Sequence, residues 1–233
     1  MQQTIFEKEK NIASQEGVFV IGIDEVGRGP LCGPVVAAAV CYKDYSFAIP
    51  EGLEKEFTLI RDSKKLSEKQ REKVFTLIQE YFHVGVGIIN AETIDRVNIL
   101  QATFLAMKAA LSDLMRHIPE ARGKEYLLID GNQVLPSFSG EQEAVVGGDG
   151  SVKSIAAASI IAKVTRDRMM VKYDQEYPQY GLAHHKGYGT KEHMDALRKY
   201  GPTQIHRMSF KPVLLSIPEN ANKRFSNILK PKK

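Results

Sequence analysis

The 233-residue chain carries 32 Lys+Arg against 28 Asp+Glu, a formal net charge of +4, and 43% hydrophobic residues. That is enough for a full core, while so small a net charge gives no argument by itself for a polyanion partner. Two cysteines, Cys32 and Cys41, imply neither a disulfide framework nor a zinc site. Met1-Gln2-Gln3-Thr4, soon followed by Glu7, Lys8, Glu9 and Lys10, lacks the apolar stretch of a signal peptide, and no run reaches transmembrane length. A soluble, cytoplasmic protein with no membrane partner is expected.

Residues 1–16 read as an N-terminal extension. Val18–Ile23 and Pro34–Tyr42 read as the first two strands, the second so uniformly apolar or small that burial on both faces is expected. Leu66-Ser67-Glu68 opens a helix running to about Phe82, with Val74, Phe75, Ile78 and Phe82 on one face. Val84–Ile89 is a glycine-interrupted third strand. A long helix covers about Ile99 to His117, its Leu100, Phe104, Met107, Leu111 and Met115 forming a core stripe. Tyr126–Ile129 gives a fourth strand and Ala144–Val146 a short fifth. From about Ser154 to Tyr173 a helix begins with the small residues Ala156-Ala157-Ala158-Ser159, which allow close approach to a sheet. Thr190–Tyr200 is a further helix, and residues 218–233 a flexible basic tail. Strands first and helices late describe a mixed α/β core, residues 17–217, with a C-terminal helical part from about residue 174.

Three of the strands deliver acids. Val18–Ile23 leads into Asp24-Glu25, Tyr126–Ile129 into Asp130-Gly131, and Ala144–Val146 into Gly147-Gly148-Asp149. Buried strand-end carboxylates are costly unless a cation neutralises them, and strand ends are where α/β folds build sites. Each acid alone is also ordinary turn or helix-entry chemistry. The first pair runs into Gly27-Arg28-Gly29, a turn whose backbone N–H groups can approach an anion.

Charge is distributed unevenly. Residues 1–149 hold 16 Lys+Arg against 22 Asp+Glu, residues 150–211 hold 11 against 5 with four histidines, and residues 219–233 hold 5 against 1. An acidic N-terminal part suits metal ligands, and a basic C-terminal part suits polyanion contacts.

Taken in order, DEVGRGP from Asp24, DSKKLS from Asp62, IDGN from Ile129, GGDG from Gly147, SIAAASIIAKVTRD from Ser154, HKGYGT from His185 and HRMSFKPV from His206 resemble the bacterial ribonuclease HII family over roughly Val18 to Val213. The resemblance implies a ribonuclease H-like mixed sheet flanked by helices, with a C-terminal helical extension. It implies endonucleolytic cleavage of RNA in RNA–DNA hybrids and of DNA 5′ to an embedded ribonucleotide, leaving 3′-hydroxyl and 5′-phosphate ends. The catalytic and metal-binding acids then fall on Asp24, Glu25, Asp130 and Asp149, with two Mg²⁺ or Mn²⁺ ions among them.

Adjacent strand residues face opposite ways, so Glu25 needs a local twist, or its backbone carbonyl, to join the ion that Asp24 holds. Substrate-binding residues by the same resemblance are Gly27, Arg28 and Gly29, which read the ribose through backbone groups, Tyr188, which bonds the 2′-hydroxyl, and Lys64 on the scissile strand. The planar donors of Arg28 suit a phosphate, the alternative being a structural cap, and for Lys64 the alternative is a solvated loop lysine. His184 and His185 suit phosphate contact or plain exposure better than a metal. Asp167 is left out of the metal set because ion pairing with Arg166 and Arg168 explains it.

Gly147 stands where the family often has lysine. The sibling ribonuclease HIII carries Gly-Thr-Gly in the first turn and an added N-terminal domain, so it fits less well. No clamp-binding motif is seen at the tail, and a monomer acting on hybrid and ribonucleotide-containing duplexes is expected. A ribose-indifferent DNA nuclease and a non-catalytic nucleic-acid-binding protein are the competing readings.

Overall fold

Phe19–Val26 and Val35–Tyr42 (β1 and β2) pair antiparallel, with Ile21 opposite Cys41 and Val26 opposite Val36. In this computed structural model, which describes residues 4–15, 17–44, 49, 51–61 and 63–217, they belong to a five-stranded sheet. Phe82–Ile89 (β3) flanks β2, Glu125–Asp130 (β4) runs parallel to β1, and Glu141–Val145 (β5) runs parallel to β4. The order β3-β2-β1-β4-β5 is a mixed α/β sheet, as the strand pattern requires. Every residue of β2 is buried, which matches its unbroken apolar run. β1 runs three residues beyond the expected Ile23 and carries Asp24 and Glu25 within the ladder. β5 begins three residues before Ala144, because its parallel pairing with β4 recruits Glu141 and Gln142.

The helices are, in chain order, α1 Thr4–Ala13, α2 Glu54–Thr58, α3 Glu68–Tyr81, α4 Ala91–Val97, α5 Ile99–His117, α6 Gly148–Ser151, α7 Lys153–Glu176, α8 Leu182–His185, α9 Lys191–Tyr200 and α10 Lys211–Leu214. Among the described residues no helix is long and apolar enough to cross a membrane. α3 starts at a capping box: the Ser67 hydroxyl accepts from Gln70 N–H while Gln70 Oε1 accepts from Ser67 N–H. The glycines of β3 are contact sites rather than interruptions. A Cβ at Gly87 would lie 1.9 Å from Ala106 O, and one at Gly85 2.2 Å from Ala110 O, so α5 packs directly on that strand.

The chain divides into two compact units: residues 1–26, 36–88 and 104–164, and residues 27–35, 89–103 and 165–233. The first holds nearly all of the sheet. There Gly22 admits the start of α7, since a Cβ would meet Ser154 C at 2.2 Å. α1, which no sequence signal announced, contributes Glu9, a fully buried carboxylate that accepts from the first two N–H groups of α7, Lys153 at 3.1 Å and Ser154 at 3.0 Å. Tyr42 donates to the same carboxylate at 3.2 Å. Glu9 thus caps a helix 144 residues away in sequence, where an anion is favoured by the exposed N–H groups and the helix dipole. Lys153, 4% exposed, donates its Nζ to the carbonyls of Phe57 and Ile60 at 3.0 and 2.8 Å.

The second unit has its own core of Met170, Tyr180, Leu182, Leu197, Val213 and neighbours. α4, another element the sequence pattern did not show, carries Asp95, whose carboxylate accepts from Met208 N–H at 2.8 Å and from Ser209 N–H at 2.9 Å. The tail from Pro218 and Asp62 of the DSKKLS motif lie outside the described residues.

Candidate active site

In the first unit, β1 and β4 run parallel with Ile23 opposite Ile129, so Asp24 and Asp130 are level on neighbouring strands. Asp24 is 6% exposed. Its Oδ1 accepts from Glu25 N–H at 2.7 Å, and its carboxyl also bonds the hydroxyl of Ser159 on α7. Glu25 stays in register opposite Ala37, so alternation sends its side chain to the other face. Its charge nonetheless reaches Asp24, where it is the strongest of the neighbouring carboxylates.

Asp130 ends β4, and Asp149 lies nearly buried in the single turn α6. Asp149 N–H points at Asp130 Oδ1 across 3.4 Å. Gly147, where the family pattern often has lysine, takes φ +68 as it enters α6, a conformation that favours glycine.

These acids stand in one another's field. Burial first, then the carboxylates of Glu25 and Asp130, hold the Asp24 carboxyl well above the usual range. Burial and Asp149 raise Asp130 in the same way. A set of hard oxygen donors that resists its own ionisation fits a divalent cation, whose charge would restore the ionised state. The DSKKLS segment reaches this cluster at two points. Lys64 Nζ stands 3.4 Å from Asp149 Oδ2, and the Ser63 hydroxyl meets that of Ser159 at 2.9 Å, linking the segment to Asp24. Ser63 and Ser159 were invisible in the sequence because hydroxyls mark no chemistry until something charged is placed beside them.

In the second unit, Gly27 to Pro34 form a turn gathered around two fully buried guanidiniums, those of Arg166 and Arg207. Gly27 has φ +94, and a Cβ there would lie 2.4 Å from Arg166 Nε and 2.8 Å from Pro34 O. Glycine at 27 is therefore demanded by the fold. Gly29 has no positive φ, and its nearest obstruction would be Tyr188 Cε1 at 3.7 Å. Arg28, Gly29 and Tyr188 are all exposed, Tyr188 by 45%.

Arg166 feels the charge of Asp167, but its hydrogen bonds go elsewhere. Its three nitrogens donate to the carbonyls of Pro34, Lys186 and Cys32 at 2.9–3.1 Å. His185 is structural too: Gly187 N–H donates to its Nδ1, which leaves Nε2 to donate to Tyr180 O at 2.8 Å. His184 remains exposed.

Cys32, His193 and His206 form a buried group whose ligand atoms lie within 4.8 Å of one another, closer than any three of the acids among the described residues. Their hydrogen bonds give this group a different meaning. Thr203 N–H donates to His206 Nδ1 at 3.0 Å, so His206 Nε2 carries the proton and donates to His193 Nε2 at 3.1 Å. His193 Nδ1–H then donates to Tyr188 O at 3.0 Å. Both imidazoles are neutral and every ring nitrogen is committed, which is a core relay supporting the Tyr188 turn rather than an open metal site. Burial pushes the Cys32 thiol up to about 12 and, with His193, His206 down to about 3.

A mixed sheet with carboxylates on adjacent strand ends is the arrangement expected of a metal-dependent hydrolase. The comparisons make the assignment specific. The family model "Ribonuclease HII" matches residues 21–213. The ribonuclease HII of Fusobacterium nucleatum is 49% identical over 206 residues, covering 88% of this chain and 91% of that one. That of Bacillus subtilis is 48% identical over 206 residues, covering 88% and 74%. The chain belongs to the ribonuclease HII family, divalent-metal-dependent endoribonucleases that cleave RNA in RNA–DNA hybrids.

Solved structures agree on the fold. Ribonuclease H2 of Pyrococcus horikoshii superposes with TM-score 0.62 at 24% identity, covering 90% of this chain and 99% of that one. The ribonuclease HII of Archaeoglobus fulgidus, solved as a complex with PCNA, gives 0.64 at 24%, covering 83% and 96%. A ribonuclease HIII solved with Mn²⁺ gives 0.64 at 19%, covering 88% and 71%.

Proposed function

We propose that this chain cuts duplex DNA on the 5′ side of a single embedded ribonucleotide as well as the RNA strand of hybrids, leaving 3′-hydroxyl and 5′-phosphate ends. The observation that carries the reading is the alignment of Asp24 and Asp130 on neighbouring strand ends with Asp149 beside them, a crowding in which Asp130 raises Asp24 and Asp149 raises Asp130. Asp24, Asp130 and Asp149 would hold two Mg²⁺ or Mn²⁺ ions by their side chains, with Glu25 completing the set. When bound, such ions supply charge that activates water and stabilises the departing oxygen. Lys64, already beside Asp149, would contact the scissile strand. Gly27, Arg28 and Gly29 would meet the ribose with backbone groups, and Tyr188 its 2′-hydroxyl, the group that separates RNA from DNA. A monomer in the cytoplasm, where the two buried thiols stay reduced, is the setting.

The deciding experiment is cleavage of a DNA duplex carrying one ribonucleotide, with Mg²⁺ or Mn²⁺, beside an all-DNA duplex and an Asp130→Asn enzyme. One cut 5′ to the ribonucleotide, absent from both controls, is expected. Equal cutting of the all-DNA duplex would turn the reading to a ribose-indifferent nuclease, and binding without cutting to a nucleic-acid-binding protein.

A further inference from the structure

Arg207, 0% exposed, spends all five of its N–H donors on backbone carbonyls of one turn. Nη2 donates to Gly27 O at 2.5 Å and Gly33 O at 3.0 Å, Nη1 to Arg28 O at 3.0 Å and Pro30 O at 2.7 Å, and Nε to Gly33 O at 3.1 Å. Among the described residues no carboxylate lies within ion-pair distance of it, so its hydrogen bonds all go to carbonyl dipoles, with the Phe210 ring 5.1 Å from the guanidinium carbon. In a trans peptide, the carbonyl of one residue and the N–H of the next point in opposite directions, and no cis bond occurs among the described residues. Drawing the Gly27 and Arg28 carbonyls inward therefore turns the N–H groups of Arg28 and Gly29 outward. The Gly29 N–H has no protein partner among the described residues, and both residues are exposed.

From this geometry we infer that Arg207 is the positioning residue for ribose selection: its fork sets the peptide planes of Gly27–Gly29 so that the Gly29 N–H donor faces the substrate sugar. The inference rests on the ribose-reading role proposed for that turn. Arg166 serves as an internal contrast. It is as fully buried and belongs to the same unit, but it holds Cys32, Pro34 and Lys186 and touches neither the Gly27 nor the Arg28 carbonyl. A lysine at 207 would keep the charge and lose the fork, because three donors on one nitrogen cannot span carbonyls gathered by a planar guanidinium.

The test is equilibrium binding, with Ca²⁺ replacing the catalytic ion, to a duplex with one ribonucleotide and to the same duplex in DNA, for the full chain, Arg207→Lys and Arg166→Lys. The ratio of the two affinities is the readout, since a purely structural lesion lowers both together. Arg207→Lys should cut the ratio about tenfold, the scale of one hydrogen bond to the sugar. Arg166→Lys should lower Tm and leave the ratio within about twofold. Retention of the full ratio by Arg207→Lys, or an equal loss in both variants, overturns the inference while the proposed function stands. A ratio near one in the unaltered chain overturns the proposed function itself. If Arg207→Lys does not fold, amide exchange in the unaltered chain decides. Gly29 should be slowed by the ribonucleotide duplex and not by the DNA duplex, and equal slowing overturns the inference.

Discussion

In one unit, carboxylates crowd the ends of neighbouring strands, and burial with neighbouring acids raises the pKa of Asp24 and Asp130. In the other, two guanidiniums are buried beneath a turn whose carbonyls they hold. Both are clusters of like charge, yet they are resolved in opposite ways. The acids are left unrelieved within the chain, which suits the metal site proposed for them. The arginines donate within the chain to backbone carbonyls, and the turn they hold leaves the Gly29 N–H without a partner among the described residues. Unrelieved charge marks where chemistry is done, and relieved charge marks where geometry is kept.

Removing one acid should break the first half of this contrast with the largest effect. Asp24→Asn is expected to lower kcat on the order of 10³-fold. Its Tm in metal-free buffer should be equal or higher, because a repelled buried carboxylate is gone. A variant that lost activity and also melted early would show that Asp24 holds the fold rather than the cation.

The glycine turn separates fold from function by one residue. Gly27→Ala combines a left-handed backbone with a Cβ 2.4 Å from Arg166 Nε, and should cost about 3 kcal/mol in urea unfolding. Gly29→Ala faces open space to 3.7 Å and should leave stability within about 0.5 kcal/mol while weakening substrate binding, since its methyl projects where the sugar must approach. Equal stability losses in both would erase the distinction.

Glu9→Ala tests whether the sheet unit depends on its distant cap. It strips the acceptors from Lys153 N–H and Ser154 N–H and removes the carboxylate whose field supports the buried Lys153 ammonium. A loss of about 3 kcal/mol is expected, with cleavage unaltered at temperatures where the variant is folded. Stability equal to the parent would make α1 dispensable.

The smallest effect is the pH dependence of the histidine relay. His206 is held down to about 3 in the fold, below its ordinary value, so the unfolded chain takes the proton first. Its contribution is full above about pH 6.5 and is lost as pH falls from there toward 3, by up to about 1.4 kcal/mol per pH unit. Urea midpoints between pH 7 and 5 should fall more steeply for the parent than for His206→Gln, and parallel slopes would remove His206 from the account.

Much of this was legible in the chain. The apolar run of β2, the heptad-like stripe of α5, the small-residue start of α7 and the acids Asp24, Asp130 and Asp149 are local patterns, set by periodicity and by the cost of burying charge. Glu9, Ser63, Ser159, Arg166 and Arg207 carried no such signal. Each acts on a partner remote in sequence, and Glu9 and Arg207 reach theirs across 144 and 180 residues.

Residue type, order and spacing already restrict which side chains of this protein can do chemistry. Only the tertiary structure decided which charges would be left unsatisfied and which would be absorbed by the backbone. Burial and hydrogen bonding fix the free energy of a charge, and both depend on what the fold brings beside it.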